Sequence, residues 1–370
     1  MRGVNWLGDA IMTTPALCRL REALPSAHIC LLSPRKLTEL WSGHPAVDST
    51  IETSSDTSLW TVARQLRQQR FDLGIIFPNS SRAALELWLG NVPVRVGLRG
   101  NWRQGLLSHV VEPRQGQVAM RKQTVAGVRQ AVAGSGSQPL LPVLEEEAHH
   151  LHHYLHLVAA VGANPAPVRP RIEVSGAETA AMALRLGRTS ESNAGPPLFG
   201  LNPGAEYGPA KRWPVERFAS AATELHRRAR CDFVIFGSDQ GLALQLETKI
   251  RQSAEGSRGG TQGAIWNLAG KTTLRELCAG LKACQAVLTN DTGPMHLAAA
   301  VGTPVVVPFG STSPELTGPG LPRDPRHRLL RGQAACAPCF LRECPIDFRC
   351  MHSITVDLVV QAMLDASGCA

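Results

Sequence analysis

The sequence predicts an α/β protein made of two doubly wound halves, on three observations. The chain has 370 residues, a comfortable length for two domains of ordinary size. Hydrophobic residues make up 44% and charged residues 18%, which is typical of a packed core and excludes wholesale disorder. Amphipathic segments with helical spacing alternate with short apolar runs, a pattern typical of a parallel sheet covered by helices on both faces.

The first half alternates helix and strand three times. The predicted helices are Ala10–Leu24, Leu59–Gln69 and Ser81–Leu89, and the predicted strands are His28–Leu32, Phe71–Phe77 and Val92–Gly97. Its opening strand is almost missing, because Gly3–Asp9 has the character of a strand-to-helix loop and only Met1 and Arg2 precede it. We therefore expect a truncated first strand, and one explanation is a true N-terminus upstream of Met1.

The same alternation restarts after a segment rich in Gly, Ser, Asn and Pro. The predicted strands are Leu198–Leu201, Asp232–Phe236, Ala286–Thr289 and Thr303–Phe309, and the predicted helices are Val215–Ala229, Leu242–Ala254, Thr273–Ala283 and Pro294–Val301. We predict an N-terminal domain over residues 1–170, a linker over 171–197 and a C-terminal domain over 198–350. Residues 351–370 are predicted to form a helix that packs back towards the N-terminal domain.

The formal charge of +8 points to an anionic partner. Only six of the 38 basic residues are lysines, and the guanidinium group of arginine suits phosphate and carboxylate. Charge alone leaves open nucleic acid, an acidic membrane surface and a phosphorylated small molecule. No secretory signal or transmembrane segment is visible, so we expect a cytoplasmic protein whose membrane contact is peripheral at most.

The first motif is the loop Asn5–Asp9. Gly8 permits a tight turn beside a ligand, and Asp9 then places an acid at the mouth of a sheet, where α/β folds bind their ligands. The alternative interpretation is that Asp9 is only the N-cap of a helix.

The second motif is Asn202–Ala205, followed by Lys211. The loop contains Gly204 and follows a predicted strand, so its backbone N–H groups are candidates for binding phosphate, with Lys211 adding a positive charge. The alternative is an exposed basic loop, since the motif matches neither the P-loop nor the dinucleotide fingerprint.

The third motif, Leu288–Leu297, is a strand end, a polar turn and a helix that opens with Pro294. The free N–H groups and positive dipole end of such a helix form an anion site, to which Thr292 adds a hydroxyl. His296 is then either a ligand-facing group or a core or cap histidine.

Together the motifs resemble those of bacterial heptosyltransferases, the lipopolysaccharide branch of glycosyltransferase family 9. The resemblance spans almost the whole chain and is specific at Gly3–Leu17, Asn202–Pro214, Asn290–Gly302 and Cys336–Met351. It implies a GT-B fold, in which two Rossmann-like domains face each other across a cleft. It further implies that the C-terminal half holds a nucleotide sugar, that the N-terminal half holds the acceptor and that no metal or other cofactor is required.

The resemblance also assigns roles to residues. Asp9 falls on the family's catalytic aspartate and Lys211 on a lysine that contacts the donor diphosphate. The remaining donor-binding positions implied are Gly204, Asp239, Asp291, Thr292, Gly293 and His296. Ser81 and Arg82 match an acceptor-side helix start. Arg99, together with Arg95 and Arg103, lies in the acceptor half and either meets acceptor phosphates or belongs to a solvated basic face.

The implied reaction is inverting transfer of heptose from ADP-L-glycero-D-manno-heptose to the first heptose of the lipopolysaccharide inner core, at the inner membrane surface. One alternative keeps the fold with another sugar or acceptor, as in other family 9 transferases or nucleotide-sugar epimerases. A different class of protein, a basic nucleic-acid-binding module with a four-cysteine zinc site, fits less well. The chain has no basic and aromatic stripe suited to stacking bases, and we expect no nucleic-acid partner.

Two groups of cysteine or histidine residues have spacings that are typical of metal ligands. Cys336, Cys339, Cys344 and Cys350 either form a structural zinc or redox site or are plain reduced thiols. The run His149–His156 holds five histidines at i, i+4 spacings, but no acid lies between them as in metalloprotease motifs, so we favour a polar helix face.

Overall fold

The computed structural model describes residues 1–100, 102–134, 144–188, 195–255 and 263–369. The chain divides into two compact units. The first unit comprises Met1–Val118 and Glu147–Glu173, and the second comprises Ala119–Glu146 and Val174–Ala370. Each unit is an α/β structure with parallel strands, as the sequence predicts.

The strands and helices are numbered along the chain. The strands are β1 (Cys30–Pro34), β2 (Ser49–Thr53), β3 (Leu73–Ile76), β4 (Val94–Leu98), β5 (His109–Val111), β6 (Leu198–Asn202), β7 (Asp232–Ile235), β8 (Ile265–Asn267), β9 (Ala286–Thr289), β10 (Val305–Phe309) and β11 (Arg328–Arg331). The helices are α1 (Leu7–Ala23), α2 (Arg35–Thr38), α3 (Leu59–Gln69), α4 (Ser81–Leu89), α5 (Val125–Ala133), α6 (Leu151–Ala159), α7 (Gly176–Arg185), α8 (Val215–Ala229), α9 (Gln240–Glu255), α10 (Leu274–Lys282), α11 (Gly293–Ala300), α12 (Pro314–Thr317), α13 (Arg349–His352) and α14 (Val356–Ser367).

The first unit contains two short parallel sheets that Arg2 joins. Strand β1 pairs with β2, while β3, β4 and β5 pair in that order. Arg2 forms parallel bridges to Leu32 in β1 and to Ile76 in β3, and its N–H donates to the carbonyl of Ile75. The first strand is thus reduced to one bridging residue, and the spatial order is β2, β1, Arg2, β3, β4, β5.

The second unit has one six-stranded parallel sheet in the order β11, β10, β9, β6, β7, β8. Its central strands β6, β7, β9 and β10 are buried along their whole length. The helix α8 packs its apolar face on them because Phe218, Ala222 and Leu225 recur at helical spacing and are fully buried.

Both units have the strand order of a Rossmann fold. Numbered from the first strand of each unit, the order is 3-2-1-4-5-6 in both. In such sheets the loops diverge where the first and fourth strands lie side by side, and ligands bind outside the carboxyl ends of the strands at that point. The expected sites therefore follow Arg2 and β3 in the first unit, and β6 and β9 in the second.

The division into units differs from the predicted domain boundaries. Residues 119–146 belong to the second unit, because Val128 on α5 packs against Cys336 and Cys339, and the Gln123 N–H donates to the Cys339 carbonyl. Much of the predicted linker over 171–197 is also ordered structure, since it contains α7 with a capping box between Ser175 and Glu178. Its residues 189–194 lie outside the described part of the chain.

The C-terminal helix α14 belongs to the second unit. It packs against α8 and the strands β9, β10 and β11. Val359, Val360 and Met363 are fully buried in that unit's core. In the described ranges, no helix has both the length and the hydrophobicity needed to cross a membrane.

Candidate active site

The site of the second unit lies where β6 and β9 end, and its loops are fixed by buried amides. The Asn202 side chain donates to the Thr289 hydroxyl at 2.9 Å. The Asn290 side chain donates to the Pro203 carbonyl at 2.8 Å and accepts from the Trp213 N–H at 2.9 Å. Because Asn202 and Asn290 are almost fully buried, this network holds the loop of the second motif against that of the third.

Lys211 and Asp291 form an ion pair inside this site. The Lys211 ammonium lies 2.6 Å from Asp291 Oδ2, and the Thr312 hydroxyl donates to the same oxygen at 2.6 Å. The Tyr207 ring faces the ammonium at 5.0 Å from its centroid. Lys211 is therefore not part of an exposed basic loop, because its ammonium is held by the buried Asp291 carboxylate, just before α11.

The start of α11 has features that suit an anionic group. Thr292 is the N-cap, but its side chain makes no capping hydrogen bond, and Pro294 occupies the first turn. Thr292 and Gly293 are half-buried, whereas His296 is only 5% exposed. The positive end of the helix dipole can attract an anion here, directly after Asp291, which pairs with Lys211.

Two further predicted donor residues lie on adjacent loops. At Gly204 a Cβ atom would come no closer than 3.9 Å to another group, the Asn202 side-chain oxygen, so open space lies beside this backbone. Asp239 is exposed and follows β7. Its carboxylate accepts from the Leu242 N–H at 3.0 Å and lies 3.7 Å from Arg212, so in this structure it caps α9.

The site of the first unit centres on Asp9. Asp9 is the third residue of α1 and is half-buried; the N-cap is Trp6, so the capping interpretation is wrong. Tyr154, on α6, is buried, and burial together with the charge of the Asp9 carboxylate raises the Tyr154 pKa well above its ordinary value. The first unit therefore places a protonated phenol in the surroundings of Asp9.

The residues predicted to face the acceptor, Ser81, Arg82 and Arg99, are all exposed, and the two arginines also form ion pairs. Ser81 opens α4 and is exposed, while its neighbour Ser80 caps the helix. Arg82 is exposed, and its guanidinium donates to Glu86 at 3.2 Å and to the Thr57 carbonyl at 3.0 Å. Arg99 is also exposed but forms a two-pronged ion pair with Glu112, which raises the pKa of Arg99 and lowers that of Glu112.

Two other arginines of that half are structural, contrary to the idea that they face the acceptor. Arg103 is fully buried and donates to the carbonyls of Leu98 and Pro78. Arg95 donates to the carbonyls of Val92, Pro93 and Leu106. Both guanidinium groups satisfy several backbone carbonyls, and sequence position alone does not reveal these contacts.

The cysteines of the predicted cluster lie in the second unit and are not joined by disulfide bonds. Cys336, Cys339 and Cys350 are buried, and Cys336 and Cys339 share an apolar cluster with Val128. Burial raises the pKa of all three thiols. Across the described ranges, no three His, Cys, Asp or Glu side chains are grouped so as to hold a metal ion.

Sequence reasoning missed two kinds of site residue. The charge of Asp9 influences the pKa values of Tyr154 and His150, which lie in and just before a helix that is remote in sequence. The prediction of a merely polar helix face is wrong for His149, which is buried. Thr312, which completes the Asp291 site, follows the carboxyl end of β10, and this topological position was the only available signal for it.

Comparison with known proteins agrees with this geometry. A family model for glycosyltransferase family 9 (heptosyltransferase) matches residues 59–348. Lipopolysaccharide heptosyltransferase 2 of Salmonella typhimurium is 30% identical over 324 residues, which cover 86% of this chain and 84% of the relative. The Escherichia coli K12 protein of the same name is 29% identical with the same coverage.

Solved structures agree as well. The structure of E. coli ADP-heptose lps heptosyltransferase II matches with a TM-score of 0.74 at 26% identity, covering 99% of this chain and 97% of that one. A family 9 glycosyl transferase from Veillonella parvula, 22% identical with a TM-score of 0.72, has the same fold.

Two units with the Rossmann strand order, together with the match to a solved heptosyltransferase over nearly the whole chain, define a glycosyltransferase with the GT-B fold. Within that class, the chain belongs to glycosyltransferase family 9 (heptosyltransferase). The interpretation as a nucleic-acid-binding module is therefore set aside.

Proposed function

We propose that the protein is an inverting heptosyltransferase that moves heptose from ADP-L-glycero-D-manno-heptose to the first heptose of the lipopolysaccharide inner core. The observation that carries the proposal is the pairing of Lys211 and Asp291 beside the uncapped start of α11. This arrangement suits a diphosphate leaving group. Family membership and the names of the two relatives above support heptose as the sugar and lipopolysaccharide as the acceptor.

In the proposed step, Asp9 acts as the general base. It takes the proton of the acceptor hydroxyl as that oxygen attacks the anomeric carbon from the face opposite ADP. A new C–O bond forms, the bond to the diphosphate oxygen breaks, and the configuration inverts through an oxocarbenium-like transition state.

Negative charge then builds on the departing diphosphate. We propose that the Lys211 ammonium and the positive end of α11, at Thr292–His296, stabilise that charge, with Gly204 leaving room for close backbone approach. Fixed positive groups supply the stabilisation that a divalent cation supplies in other enzymes, so no metal ion takes part in the proposed mechanism. A structural zinc at the cysteine cluster is a separate question, which metal analysis of the purified protein answers.

The acceptor side is proposed to lie in the first unit. Ser81 and Arg82 at the start of α4 follow β3, which neighbours Arg2, and Arg99 follows β4, the next strand of the sheet; all three side chains are exposed. Arginine forks suit acceptor phosphates and carboxylates, although Arg99 must then exchange Glu112 for the ligand.

The direct test is incubation of the protein with ADP-heptose and a core-truncated lipopolysaccharide, followed by mass spectrometry of the glycolipid. We expect a mass gain of one heptose, and we expect Asp9→Asn to abolish it while ADP binding persists. Product formation at the parent rate by Asp9→Asn would refute the base assignment. Larger thermal stabilisation by UDP- or GDP-sugars than by ADP-heptose would instead favour a different donor.

We also propose that the enzyme works at the cytoplasmic face of the inner membrane, as a peripheral protein. Trp6, Trp60 and Trp102 are exposed, at 49%, 68% and 102% respectively, and all three lie in the first unit. Each follows the carboxyl end of a strand or bridge, at the edge of the sheet that also carries Asp9. Tryptophan favours membrane interfaces because its ring is apolar and its N–H is polar.

A further inference from the structure

A group of basic side chains lies beside the Lys211 ion pair, within the second unit. Three cations lie over the Tyr207 ring: the Lys211 ammonium is 5.0 Å from the ring centroid, the Lys122 ammonium 5.8 Å and the Arg342 guanidinium carbon 5.1 Å. We infer that Lys122 and Arg342, gathered on Tyr207, form an outer phosphate subsite that binds the donor's diphosphate together with Lys211. The inference deepens the proposed function and rests on it.

Backbone contacts bring Arg342 to the Tyr207 ring, and its charge plays no part in them. The Tyr207 hydroxyl donates to the Phe340 carbonyl at 2.8 Å, and the Ala210 N–H donates to the Arg342 carbonyl at 2.9 Å. Glycine is required at Gly208, because a Cβ atom there would lie 2.4 Å from the Arg342 carbonyl oxygen. The loop that carries Arg342 is therefore fixed against the loop that carries Tyr207.

Lys122 reaches the same ring from a segment that sequence reasoning placed in the N-terminal domain. The next residue, Gln123, donates its backbone N–H to the Cys339 carbonyl at 2.9 Å and its side-chain amide to the Pro338 carbonyl at 3.1 Å. These hydrogen bonds tie Lys122 to the loop that carries Arg342, and the whole segment belongs to the second unit.

Like charges gathered on one ring repel each other. An aromatic ring has two faces, so at least two of the three cations over Tyr207 share a face. Lys122 and Arg342 are exposed, and among the residues that the structure describes neither forms an ion pair with a carboxylate. The ring attracts each cation only weakly at an exposed position. An anion bound between the cations relieves their repulsion.

The positive groups deeper in the donor site are already matched by carboxylates. The Lys211 ammonium lies 2.6 Å from the buried Asp291 carboxylate, and the Arg212 guanidinium lies 3.7 Å from that of Asp239. Neither pair carries a net charge. The start of α11 adds the equivalent of about half a positive elementary charge.

A nucleotide sugar brings more negative charge than these groups compensate, because each phosphate of its diphosphate is ionised. Lys122 and Arg342 each supply one positive charge on the ring that Lys211 also contacts. Ammonium and guanidinium groups both form strong, charge-assisted hydrogen bonds to phosphate oxygens. The outer subsite therefore completes the charge balance that the diphosphate needs.

The test measures the binding of ADP, inorganic pyrophosphate and adenosine to the full-length protein by titration calorimetry. In Lys122→Gln combined with Arg342→Gln, two exposed side chains lose their charge but keep much of their length. We expect this variant to bind ADP and pyrophosphate about tenfold more weakly than the parent protein, because two charge-assisted contacts at an exposed site are lost. Adenosine affinity should stay unchanged, and the loss for ADP should shrink at high salt.

Lys249→Gln combined with Arg227→Gln is the matched control. It removes the same amount of charge from the same unit, but each of these side chains is paired with a carboxylate of α8. We expect it to leave the affinity for all three probes unchanged.

A further variant separates charge from packing. Lys122→Arg combined with Arg342→Lys keeps both positive charges and should recover most of the affinity that the glutamine variant loses. If the two side chains only pack their stems against Tyr207, the affinity has no reason to follow the charge.

Parent-like affinity for ADP and pyrophosphate in the glutamine variant would overturn the inference. So would an equal loss in the matched control, an equal loss of adenosine affinity, a loss that persists in the charge-conserving variant, or a parent protein that binds neither ADP nor pyrophosphate. Failure of the proposed function gives a different result. If the parent protein binds pyrophosphate but not ADP, and the glutamine variant loses pyrophosphate, the outer subsite stands and ADP-heptose is the wrong donor.

Discussion

At the scale of single residues, the balance of charge in the proposed donor site depends most clearly on Asp291. Its carboxylate is 4% exposed and is compensated by the Lys211 ammonium and the Thr312 hydroxyl. A buried charge of this kind is tolerable only while its partners stay in place. In the proposed mechanism Lys211 therefore has two roles, since it neutralises Asp291 and offers positive charge to the diphosphate.

We predict that Lys211→Ala weakens ADP-heptose binding by about 10- to 100-fold, because a charge-assisted contact is worth roughly 1.5–3 kcal/mol. It should also lower the free energy of unfolding, since Asp291 is left unpaired. Calorimetric titration and urea unfolding measure the two effects.

Two further variants separate these effects. Adding Asp291→Asn to Lys211→Ala should restore stability but not donor affinity. The control is Lys249→Ala, because Lys249 forms a surface ion pair with Glu216 at 3.3 Å, and it should change neither quantity. Unchanged donor affinity in Lys211→Ala would contradict the assignment.

At the scale of helices and strands, the sequence located the helices and the central strands well, but it missed the strands at the edges of the sheets. The helices Leu59–Gln69, Ser81–Leu89 and Val215–Ala229 and the strand Ala286–Thr289 have the predicted bounds. The strands that sequence reasoning omitted are β2, β5, β8 and β11, which lie at the outer edges of the sheets. An edge strand is half-buried and short, so it lacks the apolar run by which a central strand is recognised.

The C-terminal helix gives the clearest prediction for an element. Met363 on α14 is fully buried in the second unit's core, whereas Leu358 on the same helix is 48% exposed. Met363→Ala should lower the free energy of unfolding by about 2–5 kcal/mol, because it leaves a cavity among buried side chains. Leu358→Ala should change it by less than about 0.5 kcal/mol. Urea unfolding compares the two, and equal effects would contradict the packing of α14 described above.

At the scale of the whole molecule, the two units differ in the tryptophan side chains that their surfaces expose. The strongly exposed tryptophans of the described residues belong to the first unit, but not all lie at the same edge of its sheet. Trp60 is the second residue of α3 and Trp102 follows β4, whereas Trp88 lies near the end of α4 and hence towards the opposite edge. The proposed membrane contact therefore concerns one edge only.

We predict that the protein sediments with vesicles of phosphatidylethanolamine and phosphatidylglycerol, and that Trp60→Ser combined with Trp102→Ser lowers the bound fraction several-fold. The physical reason is the loss of apolar area that enters the interface. Trp88→Ser removes a similarly exposed ring and should leave binding unchanged. Equal losses in both variants would argue against a defined membrane-facing edge.

The sequence by itself determined the fold class and the segments that carry chemistry. The periodicity of apolar residues shows, for each helix or strand separately, which face is buried. The motifs at Asp9, Lys211 and Asp291 follow strand ends, where α/β folds bind ligands. Those inferences need only local spacing, and the strand order and the family match confirm the fold class.

Only the tertiary structure decided which groups meet and which unit each segment joins. The packing of α6 against α1, the completion of the Asp291 site by Thr312, and the burial of Arg103 depend on contacts between segments remote in sequence. The same holds for α5 and α14, which join the second unit because their apolar faces find partners there. An amphipathic pattern shows that a face must be buried, but packing chooses the surface that buries it.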